Sequence, residues 1–345
     1  MPDDPVHQDD DGASCDLSVI VPVYNEVDNV APLTADIVRE VEALGLGYEI
    51  VFVNDGSADG TTEALDALAA ERPVVKVIHF AGNHGQTAAL AAGIEAASGA
   101  KIVTMDGDRQ NDPADIGPLL ARLDQGYACV SGWRRDRQDN AVRRWPSVIA
   151  NRIISKATSL PLHDYGCTIK AYRGDALDPS QLYGEMHRFL PVYVRARGGK
   201  VCEQVVRHHP RTAGQSKYGL NRTACVMADL ALVRLLFKYR TRPVHLFAKV
   251  AQYLVLTAVL FGILALVLRI WSGAPLLGGA FLTAVVLCVG VVILVGVGLC
   301  CELVMRNHFY VVGRRPWQMR RRVNFEAGSD PRRTAPAAQE VPLGR

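Results

Sequence analysis

The sequence predicts an α/β protein with a mostly parallel sheet, followed by an amphipathic interfacial helix and two transmembrane helices. Three observations lead there. Short β-branched runs alternate with stretches of helical apolar spacing through residues 17–131, the signature of βαβ units. Acids recur just after the strand runs, at Glu26, Asp55, Asp106 and Asp108. Two long uncharged runs, Val250–Leu268 and Gly279–Cys301, are each long enough to cross a bilayer as a helix.

The elements follow in order. Residues 1–16 are acidic and aperiodic, which predicts a disordered tail. Leu17–Val23, LSVIVPV, reads as a buried strand ending at Tyr24-Asn25-Glu26. Val30–Leu44 has helical apolar spacing. Tyr48–Val53 is a second strand, stopped by Asn54-Asp55-Gly56-Ser57. Asp59–Ala70 is a helix with Asp59 or Thr61 as N-cap. Val74–Phe80 is the third strand. Asn83-His84-Gly85-Gln86 then leads into the Ala-rich helix Ala88–Ala97, where Gly85–Ala88 is either a phosphate-binding N-terminus or a plain helix start. Lys101–Met105 is the fourth strand, Ala114–Leu123 the next helix and Tyr127–Ser131 the fifth strand. Pro146–Leu160 reads as a helix and Lys200–His208 as a strand.

The chain is organised around Lys101–Pro113, KIVTMDGDRQNDP. In an extended segment, residues i, i+2 and i+4 point the same way. Asp106, Asp108 and Gln110 therefore place two carboxylates and an amide on one side of a loop. Such hard oxygen ligands suit Mg²⁺ or Mn²⁺. Taken alone, D-x-D reads more often as a polar turn. Convergence with Glu26 and Asp55 on the edge where parallel sheets bind ligands favours a site. An anionic ligand among so many acids calls for a divalent cation. Neither G-x-G-x-x-G nor a P-loop is present, which weighs against those nucleotide folds.

Bulk properties narrow the partners. Net charge is +3 over 345 residues, so composition does not suggest nucleic-acid binding. The eight cysteines form no C-x-x-C pair, and reduced thiols in a cytosolic compartment are the simpler reading. No apolar secretory run stands at the N-terminus. Arg134, Arg135, Arg137, Arg143 and Arg144 cluster, with Ser147 four residues beyond Arg143. This is either a phosphate cradle or a solvated basic loop. His208 and His209 are adjacent and read as structural rather than as metal ligands.

SVIVPVYNE (18–26), VNDGSADGT (53–61), NHGQTAALAAG (83–93) and MDGDRQNDP (105–113) resemble, in order and spacing, the motifs of family 2 inverting glycosyltransferases. R-x-x-G-x-S-K-Y at 211–218 resembles the mobile loop of the polyprenyl-phosphate members. The resemblance implies a GT-A fold, a nucleotide sugar (UDP- or GDP-linked) as donor and a polyprenyl phosphate as acceptor. It places Pro22, Tyr24, Glu26 and Asp55 in the nucleotide pocket, with Asp106 facing the nucleotide. Asp108, a catalytic residue, and Gln110 would hold Mg²⁺ or Mn²⁺. Arg211 and Lys217 would close over the donor diphosphate. Arg134, Arg135, Arg143 and Ser147 are assigned to the acceptor phosphate. LPLHDYGCTIKAYR (160–173) resembles the family's D-x-G segment, with Cys167 where many members carry an acid. Asp164 is the acid retained, as base or as positioner. Glu185–Val194 resembles the acceptor-side helix.

The catalytic domain is thus expected at 17–221 and a juxtamembrane amphipathic helix at 222–246, with Val226, Leu230, Val233, Leu236 and Phe237 on one face. Spans are expected at 247–270 and 279–303, and a basic cytoplasmic tail at 304–345, disordered from 328. Lys238, Arg240, Arg242 and Lys249 precede the first span. Arg306, Arg314, Arg315 and Arg320–Arg322 follow the second. By the positive-inside rule, both flanks and the catalytic domain are cytoplasmic. The resemblance also implies a homo-oligomer through the membrane helices. Rival readings are transfer to another membrane lipid or glycan, a nucleotidyltransferase, whose Gly-rich, Arg-containing first loop is absent, and a catalytically silent membrane scaffold.

Overall fold

The computed structural model describes residues 15–135, 158–179, 186–210 and 315–325, with isolated positions at 151–152, 154–155, 182 and 184 and scattered ones within 252–307. The chain divides into two units, residues 1–226 with 315–345, and residues 227–314.

In the first unit, β1 (Leu17–Val23), β2 (Tyr48–Asn54), β3 (Val75–Phe80) and β4 (Lys101–Thr104) alternate with α1 (Val27–Glu42), α2 (Thr61–Glu71) and α3 (Gln86–Ala96). A short 3₁₀ turn (Pro113–Asp115) and α4 (Ile116–Asp124) lead to β5 (Cys129–Trp133). Then come β6 (Lys170–Arg173), α5 (Leu190–Ala196), β7 (Val201–Val205) and, far along the chain, β8 (Met319–Val323). The sheet order is β7-β5-β6-β4-β1-β2-β3-β8. β4, β1, β2 and β3 run parallel, as do β5 and β7, while β6 and β8 run antiparallel to their neighbours.

Sequence patterning explains the centre. β1 is apolar apart from Ser18 because helices cover both faces of a parallel sheet. Val19 and Val21 pack with Leu33 and Ile37 of α1, Ile50 and Phe52 of β2, and Val103 of β4 in one buried cluster. Spacing of three and four residues puts Val30, Leu33, Ile37 and Val41 on the covered face of α1.

Three expectations change. Residues 15 and 16, assigned to a disordered tail, are tied to the sheet: Asp16 N–H donates to the Gly47 carbonyl at 2.8 Å and its carboxylate accepts from Gly47 N–H at 3.0 Å. At α2 the N-cap is Gly60 (φ 94°). Asp59 instead takes the N–H groups of Thr61 and Val27, bracing the turn across to α1. The segment expected as a basic tail returns to the sheet as β8, with Ile78 opposite Arg322 on the β3 edge.

In the second unit, the described positions within 252–271 and 285–307 are helical. Among the described residues, no helix is long and apolar enough to cross a membrane. Their large apolar side chains are open: Leu256, Ile263, Val267 and Ile293 are each more than half exposed. The expected amphipathic helix at 222–246 lies outside the described residues.

Candidate active site

Parallel pairing fixes where the site falls. Val23 lies opposite Asn54, and Met105 N–H donates to the Ile20 carbonyl at 3.1 Å. The carboxyl ends of β1, β2 and β4 therefore open on one edge, with Tyr24 and Glu26, Asp55, and Asp106 and Asp108 just beyond them. Gly107 lets this loop lie against β1, because a Cβ there would meet Val23 Cγ1 at 2.6 Å. The first two turns are laced together. Asn25 N–H donates to Ser57 Oγ at 2.9 Å, and Glu26 N–H to Thr61 Oγ1 at 3.0 Å. The Glu26 carboxylate accepts from Asn29 Nδ2 at 2.6 Å. Pro22 and Tyr24 are half-buried beside it.

Asp55 is buried and accepts the N–H groups of His84 at 2.6 Å and Gly85 at 2.9 Å. Of the segment Gly85–Ala88, expected as either a phosphate-binding N-terminus or a plain helix start, the Gly85 N–H thus goes to a carboxylate of the chain. Burial raises the Asp55 carboxyl above its usual range, with the two hydrogen bonds opposing.

Asp106 is held from two sides. Its Oδ1 accepts from Gln86 Nε2 at 2.7 Å, and its Oδ2 from Thr168 Oγ1 at 2.8 Å. Neither Gln86 nor Thr168 was assigned a role from sequence, since neither sits in a chemically distinctive spacing. Burial, then the charge of Asp108, pushes the Asp106 carboxyl up to about 6. Asp108 is itself buried, and its Oδ1 accepts Gln110 N–H at 3.1 Å. Arg109 between them has φ 59° and reaches back to Asp36 of α1 at 3.2 Å.

The same loop anchors the chain leading to the R-x-x-G-x-S-K-Y motif. His209 N–H donates to the Gln110 carbonyl at 2.9 Å, and Asn111 bridges His208. His209 Nε2 and Arg207 Nη1 both meet Asp112 at 3.1 Å. Burial would raise the Asp112 carboxyl, but the hydrogen bonds from His209 and Ala114 and the Arg207 charge hold it below its usual range. Arg211 and Lys217 lie outside the described residues, as do Arg143 and Ser147.

Beyond β5, Arg134 is not a free phosphate ligand. Its Nε and Nη2 meet the two oxygens of Asp164 at 2.8 and 3.0 Å. Both side chains are largely enclosed, at 14% and 5% exposure. Glu203 of β7, missed in the sequence, holds the next layer: one oxygen accepts His163 N–H at 2.7 Å and Asp164 N–H at 3.2 Å. Arg135 is exposed. Cys167 is fully buried, and burial pushes its thiol up to about 12.

Comparison with known proteins finds relatives of the chain. The model of the Glycosyl transferase family 2 matches residues 18–179, from β1 past β6. A dodecaprenyl-phosphate galacturonate synthase of Rhizobium johnstonii is 36% identical over 309 residues, covering 86% of this chain and 89% of that one. An undecaprenyl-phosphate 4-deoxy-4-formamido-L-arabinose transferase of Pseudomonas aeruginosa is 38% identical over 307 residues, covering 86% and 87%. Among solved structures, glucosyl-3-phosphoglycerate synthase from Mycobacterium tuberculosis with Mn²⁺, UDP and phosphoglyceric acid aligns with a TM-score of 0.48 at 18% identity, over 65% of this chain and 78% of that one. With relatives this similar along nearly its whole length, and the acids of the family motifs gathered on one edge of a GT-A-like sheet, the chain belongs to glycosyl transferase family 2.

Proposed function

We propose that this protein is a membrane-seated inverting glycosyltransferase that moves a sugar from a nucleoside diphosphate to a polyprenyl phosphate. The observation that carries the reading is the buried acid pair at the carboxyl edge of β4, where burial and the charge of Asp108 raise Asp106 to about 6. A buried carboxylate raised by a neighbouring carboxylate suits a site completed by a divalent cation. Among the described residues, no three His, Cys, Asp or Glu side chains are grouped to hold a metal by themselves. That donor set fits Mg²⁺ or Mn²⁺, which takes its remaining oxygens from water and substrate phosphate. Asp108 and Gln110 would hold the ion, which when bound offsets the charge of the departing diphosphate.

The chain's own groups divide the remaining work. Asp55, Pro22, Tyr24 and Glu26 line the nucleotide side, and Asp106, oriented by Gln86 and Thr168, faces the donor. Arg211 and Lys217 are assigned to the donor diphosphate, on the segment tethered to Gln110 through His209. Arg143, Ser147 and Arg135 are assigned to the acceptor phosphate. Asp164 acts as the positioner of Arg134 rather than as base, since both its oxygens lie on the guanidinium. An acceptor phosphate oxygen bonds to the anomeric carbon as the bond to the diphosphate breaks on the opposite face. The configuration inverts and the nucleoside diphosphate leaves with the electron pair.

The relatives' names support a polyprenyl phosphate as acceptor. Open apolar side chains on the helices of the second unit support seating in a bilayer. The basic flanks support a cytoplasmic catalytic domain. A panel of labelled UDP- and GDP-sugars, incubated with polyprenyl phosphate and scored by transfer of label into organic solvent, tests the whole reading. Transfer from at least one donor is expected. No transfer from any donor, with folded protein and Mg²⁺ or Mn²⁺ present, would remove it.

A further inference from the structure

The segment Arg315–Val323 lies outside the catalytic domain as the sequence delimits it, yet it makes specific contacts at the nucleotide edge. Gln318 N–H donates to His84 Nε2 at 3.2 Å, and the Gln318 carbonyl accepts Ala81 N–H at 2.9 Å. Trp317, 8% exposed, stacks on Phe80 at 6.1 Å, and the Phe80 ring meets His84 edge-on at 5.5 Å. Arg315 pairs with Glu95 of α3 at 2.7 Å. Further along β8, Arg321 pairs with Asp66 of α2, which also meets His79.

His84 joins this segment to the donor site. Its ring is held by Gln318, while its backbone N–H donates to Asp55. The loop has no room to drift toward Asp55: Gly56 has φ 71°, and a Cβ on it would meet the Gly82 carbonyl carbon at 2.5 Å. The Asp55-Gly56 turn and the Gly82–Gly85 loop are thus in backbone contact on one side, and Gln318 braces the loop on the other. A hydrogen bond to a carboxylate depends on donor position, and a buried carboxylate left short of donors loses the geometry it presents to a ligand.

We infer that the chain returning after the helical unit is a working part of the donor site, with Gln318 and Trp317 positioning His84 so that the His84 and Gly85 N–H groups orient Asp55 toward the nucleotide. This rests on the proposed nucleotide-sugar reading for the identity of the ligand. It adds positioning residues more than two hundred residues from the motif they serve, counting from His84 to Gln318.

The test uses the full chain in detergent micelles, with UDP and GDP, each with Mg²⁺, as calorimetric probes, and initial rates against the donor that transfers. His84→Phe keeps the ring contact with Phe80 and removes the acceptor. His84→Gln restores an acceptor on a side chain of similar reach. Trp317→Ala removes the stacking on Phe80. His84→Phe and Trp317→Ala are each expected to weaken nucleotide binding five- to twenty-fold and to raise the donor KM in proportion, with kcat within about twofold. His84→Gln should recover most of the loss. Equal binding by wild type, His84→Phe and Trp317→Ala would overturn the inference. So would an equal loss in His84→Phe and His84→Gln, because the role would then be bulk packing. Wild-type protein that binds neither nucleotide would overturn the donor reading, and this inference with it.

Discussion

Removing the Asp164 carboxylate should reveal how much of the acceptor side is electrostatic architecture. In Asp164→Ala, the Arg134 side chain, 14% exposed in the native fold, loses both bidentate contacts, at 2.8 and 3.0 Å. Gly166 N–H also loses its acceptor, at 3.1 Å. Breaking one partner of an enclosed pair leaves a desolvated charge and costs about 3–5 kcal/mol. For a domain of this size, each kcal/mol moves Tm by about 2–4 °C, so a fall of roughly 6–20 °C is expected. The assay is thermal unfolding of the detergent-solubilised protein followed by circular dichroism. Arg134→Met with Asp164→Leu removes both charges together, and should recover most of the stability, because apolar replacement of an enclosed pair is often neutral. A fall of less than about 2 °C in Asp164→Ala, or a double variant as unstable as the single one, would refute the reasoning.

Asp108→Ala should nearly abolish transfer, and EDTA should mimic it; full activity in excess chelator would sink the metal assignment. His79 is buried, accepts from Asn54 Nδ2 at 3.1 Å and meets Asp66 at 3.2 Å. Burial, only partly opposed by Asp66, lowers its proton affinity, so the unfolded chain takes up a proton that the fold resists. Stability should therefore fall as pH drops below about 6.5, the ordinary histidine value, and His79→Gln should flatten that fall in urea titrations between pH 7 and 5. A cysteine at Gly273, with Cys288, Cys300 and Cys301 changed to serine, should react with an impermeant thiol reagent added outside intact cells; reaction only after lysis would invert the topology. Arg143→Ala should weaken use of lipid phosphate, and Lys217→Ala should slow transfer at saturating lipid, each by roughly tenfold to a hundredfold, the range of one lost charged hydrogen bond. Loss of nucleotide binding in Arg143→Ala with the lipid dependence intact would move that basic stretch to the donor side.

What the sequence made legible follows from where the hydrophobic signal is strong. The strands β1 to β3 are mostly apolar because helices cover both sheet faces, and the acids after β1, β2 and β4 stand out against those runs. Two strands gave no such signal. β6, KAYR, is four residues long and holds Lys170 buried among its neighbours. β8, MRRRV, is an edge strand in which Arg321 pairs with Asp66, far away in sequence, and Arg322 lies over the nearby Phe325 ring. An arginine run at the end of a chain reads as a solvated tail unless the tertiary partners are known. The supports of Asp106 were equally silent. Gln86 and Thr168 matter through their distances to one carboxylate, and no spacing rule connects residues from α3 and the stretch before β6.

The departure at Cys167 bears on the chemistry. Many family members carry an acid there, and a reader seeking a general base would look to that position or to Asp164. Burial keeps the Cys167 thiol protonated, and Asp164 spends both oxygens on Arg134. Neither of these two side chains is placed to take the proton that a sugar hydroxyl must lose in the transition state. A phosphate monoester is different, because its second pKa lies near 6 and the attacking oxygen is already anionic at neutral pH. On the reading proposed here, the acceptor brings its own nucleophile. The site's task is then to hold two anions close together while the diphosphate departs, which is work for cations and positioned donors. On the same reading Asp164 orients Arg134, and no base is asked of it.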